Sequence, residues 1–295
     1  MKSKLIPVIV LAAMGASTNA AAQSCDYQGF YVGVNAGVAN FFGNTDNAIE
    51  ASYRDRDNHE SLVFGEKRKA SSNKGTFGLL LGYSWLFCDQ FFLGAELGGA
   101  YSKGDLSGRV ANEFERRTEE HRYVTTLEGS ARAHTRKWEW TADLTPGVVL
   151  CDSFLLFGRI GVAANRVKLC SENSWDYSRA RIEGEDEHAR VGHATAENGR
   201  SKNKGALRLG LGLAHYISDC LVLNANYVYT TYGSTCGFGT ADTQVRRVRE
   251  DDNAAVAAEE RKRDVTRDGL KAASRAKVHK QTVTVGLNYY FGSMF

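Results

Sequence analysis

The chain has 295 residues, 43% of them hydrophobic and 24% charged, with a formal net charge of +3 at pH 7. So small a charge gives no ground for a nucleic-acid partner. Its 30 glycines against 2 prolines, with 11% aromatic residues, point away from a helical bundle and towards β structure with crowded positions.

The first element is a targeting segment. Lys2 and Lys4 form a basic start, LIPVIVLAAMG (5–15) is an apolar run too short for an ordinary membrane helix, and Ala20 and Ala22 supply a small-residue cleavage site. Residues 1–22 are therefore read as a cleaved signal peptide and 23–295 as the exported domain. Ala22-Gln23-Ser24-Cys25 makes a poor lipidation motif. No later segment approaches the ~20 apolar residues that a spanning helix needs.

A two-residue period then recurs eight times. In 29–40 Phe30, Val32, Val34, Ala36 and Val38 share one face, opposed by Tyr31, Gly33, Asn35 and Gly37. The next segments are 76–86 (Phe77, Leu79, Leu81, Trp85), 91–101 (Phe91, Leu93, Leu97) and 137–150 (Trp138, Trp140, Leu144, Leu150). They are followed by 154–167 (Phe154, Leu156, Ile160, Val162) and 206–217 (Leu207, Leu209, Leu211, Leu213). The last two are 221–232 (Leu221, Leu223, Tyr227, Tyr229) and 283–291 (Val283, Val285, Leu287, Tyr289, Phe291). Each is near the ~9–11 residues of a tilted membrane strand.

Short connections alternate with long ones at 42–75, 102–136, 168–205 and 233–279. Unstructured loops beyond ~12–15 residues are uncommon in a compact soluble domain. Long loops at one end and short turns at the other suit an outer-membrane barrel. The second face, rich in Gly and Asn (Gly210 and Gly212 among them), suits the cramped bore of eight strands better than a soluble exterior. The apolar face then meets lipid, and closure leaves no unpaired backbone edge in hydrocarbon. The fold predicted is an all-β, eight-stranded, antiparallel up-and-down transmembrane barrel with four long external loops. Trp85, Phe91, Trp138, Tyr229, Tyr289 and Phe291 are expected to form its interfacial girdles.

GFYVGVNAGVA (29–39) resembles the first strand, and VTVGLNYYF (283–291) the last, of small Gram-negative outer-membrane barrels, the OmpA-like, opacity-type, porin-like surface antigens. The resemblance runs through all eight segments as pattern. It implies that a terminal aromatic, Phe295 or Phe291, marks the chain for barrel assembly, and that the protein lies in the outer membrane.

Parity places Glu96, Glu139, Asp143, Arg159 and Arg208 in the lumen, with Asn35, Asn224, Asn226 and Asn288. Buried charges require partners. An ion-paired plug centred on Glu96, Asp143 and Arg159 is expected, serving either as filling or as a gate. Cys88, Cys151 and Cys220 occupy the short periplasmic turns, while Cys170 and Cys236 lie beyond strands five and seven, where a disulfide between them would tie two loops together.

The loops carry charge runs: 112–123, 179–190 and the Ala-rich, potentially helical 254–277. Their Lys and Arg residues suit lipopolysaccharide phosphates, and host-surface or other envelope proteins are the further partners expected. His188 and His193, near Glu185 and Asp186, lack any device that would fix metal geometry, and no cofactor is expected. His134 and Ser107 form no recognisable nucleophile–base set, so no enzyme is expected. Function is read as a structural, surface-interactive envelope antigen or adhesin. The alternative is a narrow porin-like channel.

Overall fold

The computed structural model describes residues 27–54, 59–88, 90–117, 121–150, 154–181, 190–218, 220, 221–244, 246–247 and 267–291. The signal segment, Cys25, Cys151, His188 and Phe295 lie outside these residues. Eleven strands follow in chain order. They are β1 (Gly29–Arg54), β2 (His59–Phe87), β3 (Phe91–Tyr101), β4 (Asp105–Arg117), β5 (His121–Thr135) and β6 (Trp138–Leu150). Then come β7 (Phe154–Arg181), β8 (Arg190–Ser218), β9 (Leu221–Gln244), β10 (Arg246–Arg247) and β11 (Arg267–Tyr290).

Backbone pairing runs β1–β2–β3–β6–β7–β8–β9–β11 and returns to β1, every pair antiparallel. That is a closed ring of eight strands. β3 and β4 continue one another, as do β5 and β6: Tyr101 faces Trp138, Asp105 faces His134, and the register is the same on both sides of the break. Ser102 N donates to Lys137 O at 2.8 Å, and Thr135 N to Gly104 O at 3.1 Å, carrying the ladder across.

Alternation sets the two faces of the wall. Leu79 is 57% exposed and Leu211 65%, as are their in-phase neighbours to lesser or similar degree, whereas Tyr31, Ser84, Glu96, Asp143, Arg159 and Asn288 are buried. An outward belt so apolar is stable only against hydrocarbon, since water contact would cost about 25 cal/mol for each Å². Aromatic residues rim it. Phe77, Tyr101 and Trp138 pack together at the loop end, with Tyr101 and Trp138 ring centres 5.6 Å apart, and Tyr83 and Trp85 pack at 4.6 Å towards the turn end.

The long connections differ from the sequence expectation. Much of each is strand. β7 runs from Asn165 to Arg181 beyond the belt, roughly 55 Å along the chain at ~3.3 Å per residue. Residues 267–277 of the Ala-rich stretch belong to β11 rather than to a helix, because pairing with β1 and β9 satisfies their backbone on both sides. Residues 254–266 lie outside the described region.

Beyond the belt the ring parts. Among the described residues, no backbone pairing joins β2 to β4, and β8 pairs with β9 only up to Leu207–Thr231. Two sheets result, β9–β11–β1–β2 and β4–β5–β7–β8, the second carrying the two-residue β10 on the edge of β8. Their inner faces meet: Phe41, Tyr232, Ala276 and Val278 of one pack with Leu106, Ala133, Val167 and Leu169 of the other. Asn47 Nδ2 donates to Asn173 Oδ1 at 2.7 Å, bonding the sheets higher up, while Ser274 Oγ, beside Asn47 in the same sheet, donates to its Oδ1 at 2.7 Å. The apolar phase therefore inverts along each strand. On β1 Val34 and Val38 face outward, but Ala39, Phe41 and Ile49 face inward.

Candidate functional site in the lumen

From the short turns outward, the inward-facing side chains form three layers, two within the belt and one just beyond it. Nearest the short turns, Tyr27, Tyr31, Phe92, Phe157, Tyr216 and Tyr290 close the bore with rings. Tyr27 and Tyr216 centres lie 4.1 Å apart, and Tyr31 stacks on Tyr290 at 4.8 Å. Gly212 leaves the room that Phe157 occupies; a Cβ there would overlap the ring.

The middle layer holds charge. Arg159 on β7 pairs with Glu96 on β3 and, at 2.8 Å, with Asp143 on β6. Arg208 on β8 reaches Asp143 and Glu139, each at 3.0 Å. Lys280 on β11 reaches Glu139 at 2.6 Å. The chain Glu96–Arg159–Asp143–Arg208–Glu139–Lys280 thus alternates in sign and is neutral as a whole. Tyr31 donates to Glu96 at 2.8 Å, and Tyr232 donates to Glu139. Asn226, Asn224 and Asn288 form a polar ladder beside it, at 2.7 and 3.0 Å. Gly161, opposite Asp143, carries no Cβ because one would strike that carboxylate.

A cavity of about 60 Å³, lined by Glu96, Glu139, Arg159, Arg208, Asn226 and Lys280 among others, lies within this layer. It has room for a few water molecules, which helps to explain how charges can sit at mid-wall. The third layer, around Phe41, Leu106, Val167, Leu169 and Val278, closes the outer side.

All five charged lumen residues named from the sequence are thus in one network. Lys280 and Tyr232 were missed. Both are in phase with the polar face, Lys280 with Thr284, Gly286 and Asn288, but they lie at the edge of, or beyond, the segments whose alternation is cleanest. A bulge follows Tyr232, in which Tyr232 and Gly233 oppose the single residue Val278 and Gly233 takes φ +69°; beyond it the phase shifts, so that Thr235 faces inward.

Among the described residues no cysteine is bridged. Cys88, Cys170, Cys220 and Cys236 all carry free thiols. The expected Cys170–Cys236 bond is corrected on geometry: at their level β8 and β9 no longer pair, so Cys170 on β7 and Cys236 on β9 lie in the two separate sheets. Each alternates with buried residues that face the other sheet (Leu169 and Ser171, Thr235), so the two thiols lie on opposite outer faces, out of disulfide reach. Cys88 and Cys220 occupy short turns, Cys88 with φ 52°. Among the described residues no group of three or more His, Cys, Asp or Glu could hold a metal ion. Outside the lumen, His134 contacts Asp105 at 3.3 Å and Ser107 is exposed on β4.

A family model described as the outer membrane protein beta-barrel domain matches residues 8–291. No curated protein matches the chain. Among solved structures, the Yersinia pestis attachment invasion locus protein Ail is similar at 11% identity and a TM-score of 0.26, over 86% of this chain and 99% of that one. OprG of Pseudomonas aeruginosa is similar at 12% identity and a TM-score of 0.36, over 89% and 97%. Neisserial surface protein A is similar at 11% identity and a TM-score of 0.27, also over 89% and 97%.

Proposed function

This chain belongs to the outer membrane protein β-barrel family and lies in the bacterial outer membrane, and from that premise we propose that it is a closed barrel whose outer sandwich is a surface-interaction platform, of the antigen or adhesin kind. The observation that carries this reading is the side-chain-filled bore. A neutral charged layer with a cavity of only about 60 Å³ is held between an aromatic layer and an aliphatic one. Solute passage would require rings and aliphatic side chains to leave closely packed positions on both sides of the ion pairs. The outer strands, by contrast, form a packed body that projects from the wall, a rigid support on which tips of varied sequence can engage other envelope or host surfaces.

The same geometry opposes the narrow-channel reading, for which the network would be a gate. Purified protein in planar bilayers should give no stepwise conductance, with or without Glu96→Ala. Cells displaying the intact protein should bind host-cell monolayers or matrix, and cells displaying a barrel cut back to the belt should not. Discrete conductance steps from the wild type, or equal binding by the trimmed barrel, would reverse the assignment.

A further inference from the structure

We propose that the β5–β7 face, just outside the apolar belt, binds the phosphorylated headgroup of an outer-leaflet glycolipid. Six cations converge there: Lys103, Arg132, Arg136, Lys137, Arg166 and Lys168, all exposed. The wall is built to present two of them. Trp140 faces Ala164, yet Thr135 faces Val167, so the β5–β6 strand accommodates two more residues than β7 over the same stretch. The surplus is Arg136–Lys137, which leaves the ladder as a bulge at the rim. Arg136 N still donates to Arg166 O at 2.8 Å, which holds the bulge against β7. Arg132 and Lys168 follow on the outward faces of their strands, with Arg132 opposite Cys170 and Lys168 opposite His134.

Neighbouring strands are ~4.8 Å apart and alternate residues along a strand ~7 Å, so the six charges fit a patch the width of one multiply phosphorylated headgroup. Among the described residues none of the six has a carboxylate partner. Two acids border the patch: Asp105, engaged by His134, and Glu172, exposed one step beyond Cys170 on the outward face of β7. Arg166 Nε donates to Ser201 Oγ at 2.6 Å, and its side chain is exposed, with two further nitrogens able to meet phosphate. Directly below lie the Tyr101 and Trp138 rings of the girdle, at the depth where acyl chains give way to headgroups. The opposite rim is of contrary sign: the three short turns carry Asp89, Asp152 and Asp219 and no Lys or Arg. A cationic patch at the lipid–water boundary, confined to the end from which the sandwich projects, matches a lipid-anchored polyphosphate better than a soluble anion. Arginine's planar fork suits phosphate, which accepts two bonds from one guanidinium.

The inference rests on the sandwich pointing away from the cell. That premise is read separately, by labelling Cys236 with a membrane-impermeant maleimide on intact cells. For the site, Arg136→Gln/Arg166→Gln/Lys168→Gln is compared with wild type and with a control triple on the far wall, Lys69→Gln/Arg275→Gln/Lys277→Gln. Each is purified in detergent, its folding checked by the migration difference between heated and unheated samples. Each is then titrated with lipopolysaccharide, with its phosphatase-treated form, and with inorganic polyphosphate. Wild type should bind the phosphorylated glycolipid about a hundredfold more tightly than the site triple, near fivefold for each interfacial cation removed. The control triple should keep most of that affinity, and the dephosphorylated lipid should bind wild type no better than the intact lipid binds the site triple. Equal affinity of both triples, indifference to phosphate removal, or tighter binding of free polyphosphate than of the glycolipid would overturn the proposal.

Discussion

Glu139 is the hinge of the lumen network, and Glu139→Ala tests whether that network stabilises the barrel. The carboxylate is 1% exposed and receives Arg208, Lys280 and Tyr232. Its loss does not fall evenly. Arg208 keeps Asp143 at 3.0 Å. Lys280, 2% exposed, keeps no carboxylate among the described residues, only the Phe41 ring with Nζ 5.9 Å from its centre. Removing one member of a buried pair costs about 3–5 kcal/mol because the survivor stays buried and uncompensated. Glu139→Ala should therefore lose about 3–5 kcal/mol in equilibrium urea unfolding from lipid vesicles, followed by tryptophan fluorescence. Glu139→Ala/Lys280→Met should recover at least about half of that, since the stranded ammonium is gone. A single variant within ~1 kcal/mol of wild type, or a double variant no more stable than the single one, would refute the reasoning.

Three further outcomes follow from the same geometry. Leu211→Arg, mid-belt on the outward face, should cost about 2–4 kcal/mol in the same unfolding assay, whereas Asn203→Arg, on the same strand and face but past the belt, should change stability little. Gly233→Val places a branched side chain at φ +69° and should cost at least ~1–2 kcal/mol, while Gly205→Val, with nothing within 4 Å of its Cβ position, should be tolerated. Cys88, Cys170, Cys220 and Cys236 should all be alkylated without prior reduction, Cys236 by impermeant maleimide on intact cells and Cys88 only after permeabilisation; protection of any of the four until reductant is added would contradict the free thiols.

The belt was legible because lipid demands a strict pattern. Where hydrocarbon lies on one side and a crowded bore on the other, each residue's parity decides its surroundings, and Glu96, Asp143 and Arg159 could be placed inside from Leu97, Leu144 and Ile160 alone. The outer half was harder because its logic reverses. Past Val38, Val162 and Val283, with water outside, the apolar residues move inward, as Phe41, Val167, Leu169 and Val278 do. A search for continued alternation in one phase ends there and sees loop. The inversion itself is a readable signal, since it marks the depth at which the membrane stops. Lys280 was lost for the same reason, lying between the inward Val278 and the outward Val283–Leu287 run. The face-to-face packing of two sheets was less accessible still. It depends on β4 and β5 folding over β1 and β2, contacts that local periodicity does not encode.

The two seams of the outer body also bear on how such a surface can vary. Its halves cohere through their own greasy filling and through the buried Asn47–Asn173 bond. Lengthening or rewriting a hairpin tip therefore leaves both the buried filling and the insertion-competent wall unchanged. Change at the tips thus needs no compensating mutation in the anchoring cylinder.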